Sequence, residues 1–173
     1  MVKRINLALQ GGGAHGAFTW GVLERFLEEK ELEIAAISGT SAGAMNGAAY
    51  KSGWLEDGRA GARAALAEFW GQMGAVDDMR WPAWMTGASA PGPVAQALEL
   101  SPPFLLADAM SRVVSPYAYG PFYTNPLDRI VRAFQYEKVC APRGPRLFVG
   151  ATNVHSGKIR VFEGHDINPS AIM

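Results

Sequence analysis

The sequence predicts an α/β fold with a mostly parallel sheet. Two short apolar runs, Ile5-Asn6-Leu7-Ala8-Leu9 and Ile34-Ala35-Ala36-Ile37-Ser38, read as buried strands. Each ends in a glycine turn, and each turn leads into a helical pattern. Strand, helix, strand, helix in that order implies parallel strands joined by right-handed crossovers.

The first helix is expected over Ala17–Glu29. Phe18, Val22, Leu23, Phe26 and Leu27 recur at helical spacing, with Glu24, Arg25, Glu28 and Glu29 on the other face. A second helix is expected from Ala44 to Lys51, stopped near Gly53, and a third from Glu56 to Met73. The middle of the chain is less regular. Trp81-Pro82-Ala83-Trp84-Met85 and Gly87–Pro93 break the pattern, Ser101–Leu106 opens another helical stretch, and Pro116–Pro121 is rich in turn residues. With Trp70, this region reads as a core helix with irregular connections, or as a cap over an acyl-chain site or a lipid-touching surface. A helix is expected from Asn125 to Phe134. Arg146–Thr152 and Lys158–Phe162 follow as strands, joined as a hairpin through Ser156-Gly157. Asn168–Met173 opens a last helix.

The 173 residues are 49% hydrophobic and 18% charged, which suits a single domain over 1–173 with a cap or variable segment at 54–123. Net charge is +0, so nothing builds the positive field that nucleic-acid binding uses, and no nucleic-acid partner is expected. The one cysteine, Cys140, pairs with nothing in the chain, reads as a small core residue and fits a reducing compartment. No run is long enough to span a bilayer, and Ile5–Leu9 is too short for a secretory signal. The expected location is the cytoplasm, with peripheral contact at a membrane surface.

Two turns carry the chemistry. Gly39-Thr40-Ser41-Ala42-Gly43 is a Gly-x-Ser-x-Gly sequence between a strand and a helix, where a tight turn presents serine in a strained conformation. The helix that follows points its positive end at Ser41. Gly11-Gly12-Gly13-Ala14-His15-Gly16 has the same placement. Its consecutive glycines leave backbone N–H groups unshielded, ready to converge on an oxyanion or a phosphate. Gly11, Gly13 and Gly16 also satisfy the dinucleotide fingerprint. That reading needs an acidic residue at the end of the second strand, where Ser38 and Gly39 stand instead. A Walker phosphate loop fails for want of Gly-Lys-Ser/Thr. The scattered Asp, Glu and His residues show no metal-ligand spacing, and neither metal nor cofactor is expected.

The paired motifs resemble the patatin-like phospholipases. Leu7–Phe18 is similar to that family's opening, as are Ile37–Asn46, Thr124–Leu127 and Phe148–Asn153. The resemblance implies a three-layer α/β/α domain, of which this chain is the N-terminal part, incomplete at its C-terminus. It implies a lipid acyl hydrolase of phospholipase A or esterase type working through a Ser–Asp dyad without histidine. Ser41 matches the nucleophile, and Gly11, Gly12 and Gly13 match the oxyanion loop, with His15, Gly16, Gly39 and Gly43 supporting the motifs. The dyad aspartate normally lies in an Asp-Gly-Gly or Asp-Gly-Ala sequence. Asp57-Gly58 is followed by Arg59 and comes too soon after Ser41, so the aspartate is expected outside this chain. A C-terminal fragment of the same protein would then complete the site, and truncation, cleavage and a pseudoenzyme stay open. The rival readings are a Ser–His–Asp esterase using Asp128 with His155 or His165, and a non-catalytic lipid-binding or interaction domain.

Overall fold

The sheet forms because apolar residues alternate with small or polar ones along three parallel strands. The computed structural model describes the backbone of residues 1–80, 125 and 127–173, and the side chains of these apart from 75–80. β1 is Lys3–Leu9, β2 is Leu32–Gly39, β3 is Arg146–Thr152 and β4 is Ile159–Glu163. They lie in the order β1-β2-β3-β4. β1 and β3 both run parallel to β2, while β4 turns back antiparallel to β3, with Thr152 opposite Ile159. The expected hairpin is therefore present.

α1 covers Gly16–Glu28, close to its expected span. α2 covers Ala42–Arg80 and departs from expectation at Gly53. The helix passes through Gly53 and breaks later, where Asp57 takes φ −145° and Gly58 takes φ 52°. That break folds the second arm back along the first. Gly53 marks their closest approach: a Cβ added there would lie 2.2 Å from the Gly61 carbonyl oxygen. Glycine here serves backbone contact rather than helix termination. The helix expected over 125–134 is shorter, α3 at Asp128–Arg132, followed by one turn, α4 at Tyr136–Val139. The last helix, α5, is Pro169–Ile172, capped by the Asn168 side chain, which accepts from the Ala171 N–H at 3.1 Å.

Strands in the order β1-β2-β3 with one direction and right-handed crossovers place α1 and α2 on the same face. The packing agrees. Leu23, Leu27, Leu66, Ile37, Leu147 and Val149 form the buried core between helices and sheet. Gly47 lets α2 settle onto the sheet, since a Cβ there would meet Leu147 at 2.7 Å and Ile37 at 3.1 Å. Arg59 ties the second arm to the end of α1 and the start of β2 by donating to the carbonyls of Phe26, Leu27 and Leu32. Lys51, a buried cation, donates to the Ala141 carbonyl at 2.7 Å, and burial holds its amine below the ordinary lysine range.

The described residues thus supply the mostly parallel sheet and one helical layer of the α/β architecture. The chain divides into two compact units, Met1–Gln72 with Leu127–Met173, and Met73–Pro126. Of the second unit, only the end of α2 and Asn125 are described. Most of the cap segment expected at 54–123, including Trp81, Trp84, Ser101–Leu106 and Pro116–Pro121, lies outside the described residues. Among the described residues no helix is long and apolar enough to cross a membrane.

Candidate active site

Parallel strands put all their carboxyl ends at one edge of the sheet, where crossover turns open toward solvent. β1 delivers the Gly11–Gly16 loop to that edge, and β2 delivers Ser41 beside it. Ser41 has φ 52°, alone with a positive φ among the non-glycine residues described. An L-residue held there stores roughly 1 kcal/mol or more of backbone strain, so the surroundings must enforce it.

The glycines are what enforce it. A Cβ added at Gly39 would lie 2.5 Å from the Gly43 backbone, and one added at Gly43 would lie 2.2 Å from the Leu9 carbonyl oxygen. The elbow therefore closes on itself and on the end of β1 only because both positions lack a side chain. The Gly43 N–H donates to the Thr40 carbonyl at 3.0 Å, and the Met45 N–H donates to the Ser41 carbonyl at 3.0 Å. The helix thus starts immediately beyond the serine.

The glycine loop presses on the same spot. A Cβ at Gly11 would stand 2.9 Å from the Thr40 carbonyl oxygen and 3.2 Å from the Ser41 Cβ. Gly13 has φ 55° and opens a single 3-10 turn, Gly13–His15, before α1 begins. Gly16 meets Ala42 so closely that an added Cβ would lie 2.8 Å from the Ala42 Cβ. The N-termini of α1 and α2 therefore converge beside Ser41. Two helix N-termini directed at one spot favour developing negative charge between them.

Asn46 joins the two turns. It is fully buried, and its Nδ2 donates to the carbonyls of Gly16 and Ala42, each at 3.1 Å. Its Oδ1 accepts from the Trp70 Nε1–H at 3.0 Å. Trp70 in turn stacks on Trp20 of α1, with ring centroids 6.4 Å apart. Neither Asn46 nor Trp70 is among the site residues that the sequence pattern predicts. A lone amide in the small-residue run Ala42–Ala49 was the available signal.

The histidines and acids separate by topology. His15 is exposed at the loop, with Nδ1 3.2 Å from the Gly12 carbonyl oxygen. His155 lies in the β3–β4 turn, at the Ser41 end of the sheet, and is exposed. His165 follows β4, which runs the other way, so it sits at the opposite end. The rival triad through His165 is therefore not assembled. Asp128 binds the Arg132 guanidinium at 2.7 Å. Asp57 stands at the α2 break, roughly 24 Å along the helix from Ser41 at the usual helical rise. Asp166 shares the far end with His165. Cys140 is partly buried, its thiol donates toward the Ile167 carbonyl at 3.3 Å, and burial pushes its pKa up, away from a reactive thiolate. Among the described residues no group of His, Cys, Asp and Glu is arranged to hold a metal.

Compared with known families, the chain matches the family model described as Patatin-like phospholipase over residues 7–172. Comparison with curated proteins and with solved structures gives no match.

Proposed function

The chain belongs to the patatin-like phospholipase family, which implies a lipid acyl hydrolase, and we propose that Ser41 is its nucleophile. The observation that carries this reading is the positive φ of Ser41 at a strand-to-helix turn with the glycine loop packed against it. In the proposed reaction the Ser41 Oγ attacks an ester carbonyl carbon. The carbonyl oxygen becomes an oxyanion held by N–H groups of the Gly11–Gly13 loop. Collapse expels the alcohol and leaves an acyl-serine, which water hydrolyses to the fatty acid. The serine proton passes to a carboxylate, which returns it to the leaving alcohol.

That carboxylate is the aspartate of a Ser–Asp dyad contributed from outside this chain. Among the described residues, the positions of Asp57, at the break in α2, and Asp166, at the opposite end of the sheet, support this. A segment of the same protein carrying an Asp-Gly sequence completes the site. The lone thiol Cys140 supports a reducing, cytoplasmic setting. A second reading, a Ser–His–Asp esterase, keeps His155 as its base because that residue shares the Ser41 end of the sheet.

A fluorophosphonate probe with peptide mass spectrometry tests the proposal. A single adduct on Ser41, with a co-purifying polypeptide that holds Asp-Gly, supports the dyad. An adduct that forms on this chain alone and disappears in His155→Ala supports the triad instead. Absence of an adduct here and in any longer form of the protein overturns the hydrolase reading and leaves a lipid-binding domain.

A further inference from the structure

Two hollows open beside the serine turn and share Gln10. One, of about 330 Å³, reaches Thr40, the residue before Ser41, and the apolar side chains of its wall are Ala8, Leu9, Phe148 and Val161. The other, of about 620 Å³, lies over the glycine loop and is lined by Gln10, His15, Phe18 and Thr19. Gly11 also lines this second hollow and stands against Ser41, since a Cβ added to it would lie 3.2 Å from the Ser41 Cβ. An ester held at Ser41 has two halves to place. The first hollow offers mostly hydrocarbon, which suits an acyl chain, and the second offers polar side chains, which suit the alcohol.

The polar groups of the larger hollow are uncharged and unspent. Residues 5–23 contain no Asp, Glu, Lys or Arg, and among the described residues none lines the hollow. The side chains of Gln10 and Thr19 have no hydrogen-bond partner among the described residues. The His15 Nδ1 faces the Gly12 carbonyl oxygen at 3.2 Å. A carbonyl oxygen only accepts, so the neutral ring carries its proton on Nδ1 and keeps Nε2 as an acceptor. Gln10 adds donors and an acceptor, and the Thr19 hydroxyl serves as either. A hydroxyl group answers such a mixed set, because it both donates and accepts. A phosphodiester only accepts, and it finds no cation here. The loop N–H groups that could serve it are those assigned to the oxyanion. A quaternary ammonium calls for a carboxylate or a cage of rings, and Phe18 is a single exposed ring.

We propose that the hollow over the glycine loop is the alcohol subsite, and that it takes a neutral polyhydroxy alcohol, a glycerol or a sugar, in preference to a phosphodiester headgroup. The proposal rests on the reading of Ser41 as the nucleophile. Gln10, His15 and Thr19 are then the residues that set specificity for the leaving group. Each unpaired polar group that meets a substrate hydroxyl discriminates against an alcohol that lacks one.

Titration calorimetry on the full chain carrying Ser41→Ala tests this with three soluble octanoyl esters below their micellar concentrations: monooctanoylglycerol, an octanoyl glucose ester and octanoyl lysophosphatidylcholine. The two neutral esters are expected to bind at least tenfold more tightly than the phosphocholine ester, and whichever of them binds better identifies the alcohol as glycerol or sugar. Thr19→Val and Gln10→Met should each weaken the neutral esters about tenfold, the effect of one hydrogen bond, and leave the phosphocholine ester unchanged. Thr19→Ser keeps the hydroxyl and should bind as the parent does. Gln10 is exposed, so Gln10→Met carries the test should Thr19→Val fail to fold. The proposal is overturned if neither neutral ester binds, if the phosphocholine ester binds as tightly, or if the variants lose all three ligands equally. Fluorophosphonate labelling of wild-type Ser41 without this discrimination would overturn the subsite and keep the hydrolase reading. Discrimination without labelling would keep the hollow as a polyol site and remove that reading.

Discussion

The Trp70 indole N–H donates to the Asn46 side-chain oxygen at 3.0 Å, and the Asn46 amide donates onward to the first residue of α1 and the first of α2. One buried side chain therefore couples the second arm of α2 to both turns of the site. Asn46→Ala removes the acceptor of the Trp70 indole N–H and the amide that bridges the starts of α1 and α2. We expect it to destabilise the fold by about 2–3 kcal/mol in urea unfolding. It should also slow fluorophosphonate labelling of Ser41 about tenfold under conditions where the variant remains folded. Trp70→Phe removes one hydrogen bond of the set, and about half that loss is expected.

Backbone strain at Ser41 predicts that function and stability oppose each other there. Ser41→Gly relieves the positive φ and should raise the unfolding free energy by about 1 kcal/mol, while Ser41→Ala should not. Both substitutions remove the Oγ and should abolish labelling. Equal stability for the two variants would mean that the turn is unstrained.

Two glycine substitutions should move stability in opposite directions. Gly43→Ala places a Cβ 2.2 Å from a backbone oxygen of β1, and no flexible neighbour can yield. A loss of about 3 kcal/mol or more is expected, with loss of labelling as the elbow deforms. Gly21, inside α1, has nothing within 4 Å of an added Cβ. Gly21→Ala should stabilise by about 0.5–1 kcal/mol through helix propensity alone. Thermal denaturation of the pair reads both.

Alkaline pH should destabilise the fold through buried phenols. Burial pushes Tyr50 and Tyr136 up to about 12 from an ordinary 10.0. The folded state then retains protons that the unfolded chain releases above pH 10, so this contribution is complete below pH 10 and is lost as pH rises through about 12. Cys140, also pushed up, adds to the decline from pH 9.0, while Lys51, pushed down, acts in the opposite direction below pH 10.5. Comparison with Tyr50→Phe isolates one phenol. The two proteins should differ little more at pH 9 than at pH 7. Above pH 10 wild type should lose on the order of 1 kcal/mol relative to the variant, after solvent screening is allowed for. A constant difference across the range would count against the burial argument.

Much of the site was legible because it is local. A strand, a tight turn and a helix occupy neighbouring residues, so Gly39–Gly43 and Gly11–Gly16 declare their backbone demands in sequence order. β1, α1, β2 and β3 were placed almost to their observed ends by hydrophobic period. α2 does not stop at Gly53 as the sequence predicts, because a glycine in a helix signals a stop as readily as a close contact. Only Gly61, brought against it by the break at Gly58, distinguishes the two.

By itself, then, the sequence determined the fold class, the serine turn and the glycine loop, since each depends on contacts within a few residues. Tertiary structure decided what depends on distant segments meeting. It set Gly11 against Ser41, seated Asn46 between two helix starts, left His155 at the Ser41 end of the sheet and carried His165 to the far edge. The physical reason is strand direction. A parallel β3 and an antiparallel β4 assign residues to opposite ends of one sheet, and that pairing is a long-range choice that no local pattern records.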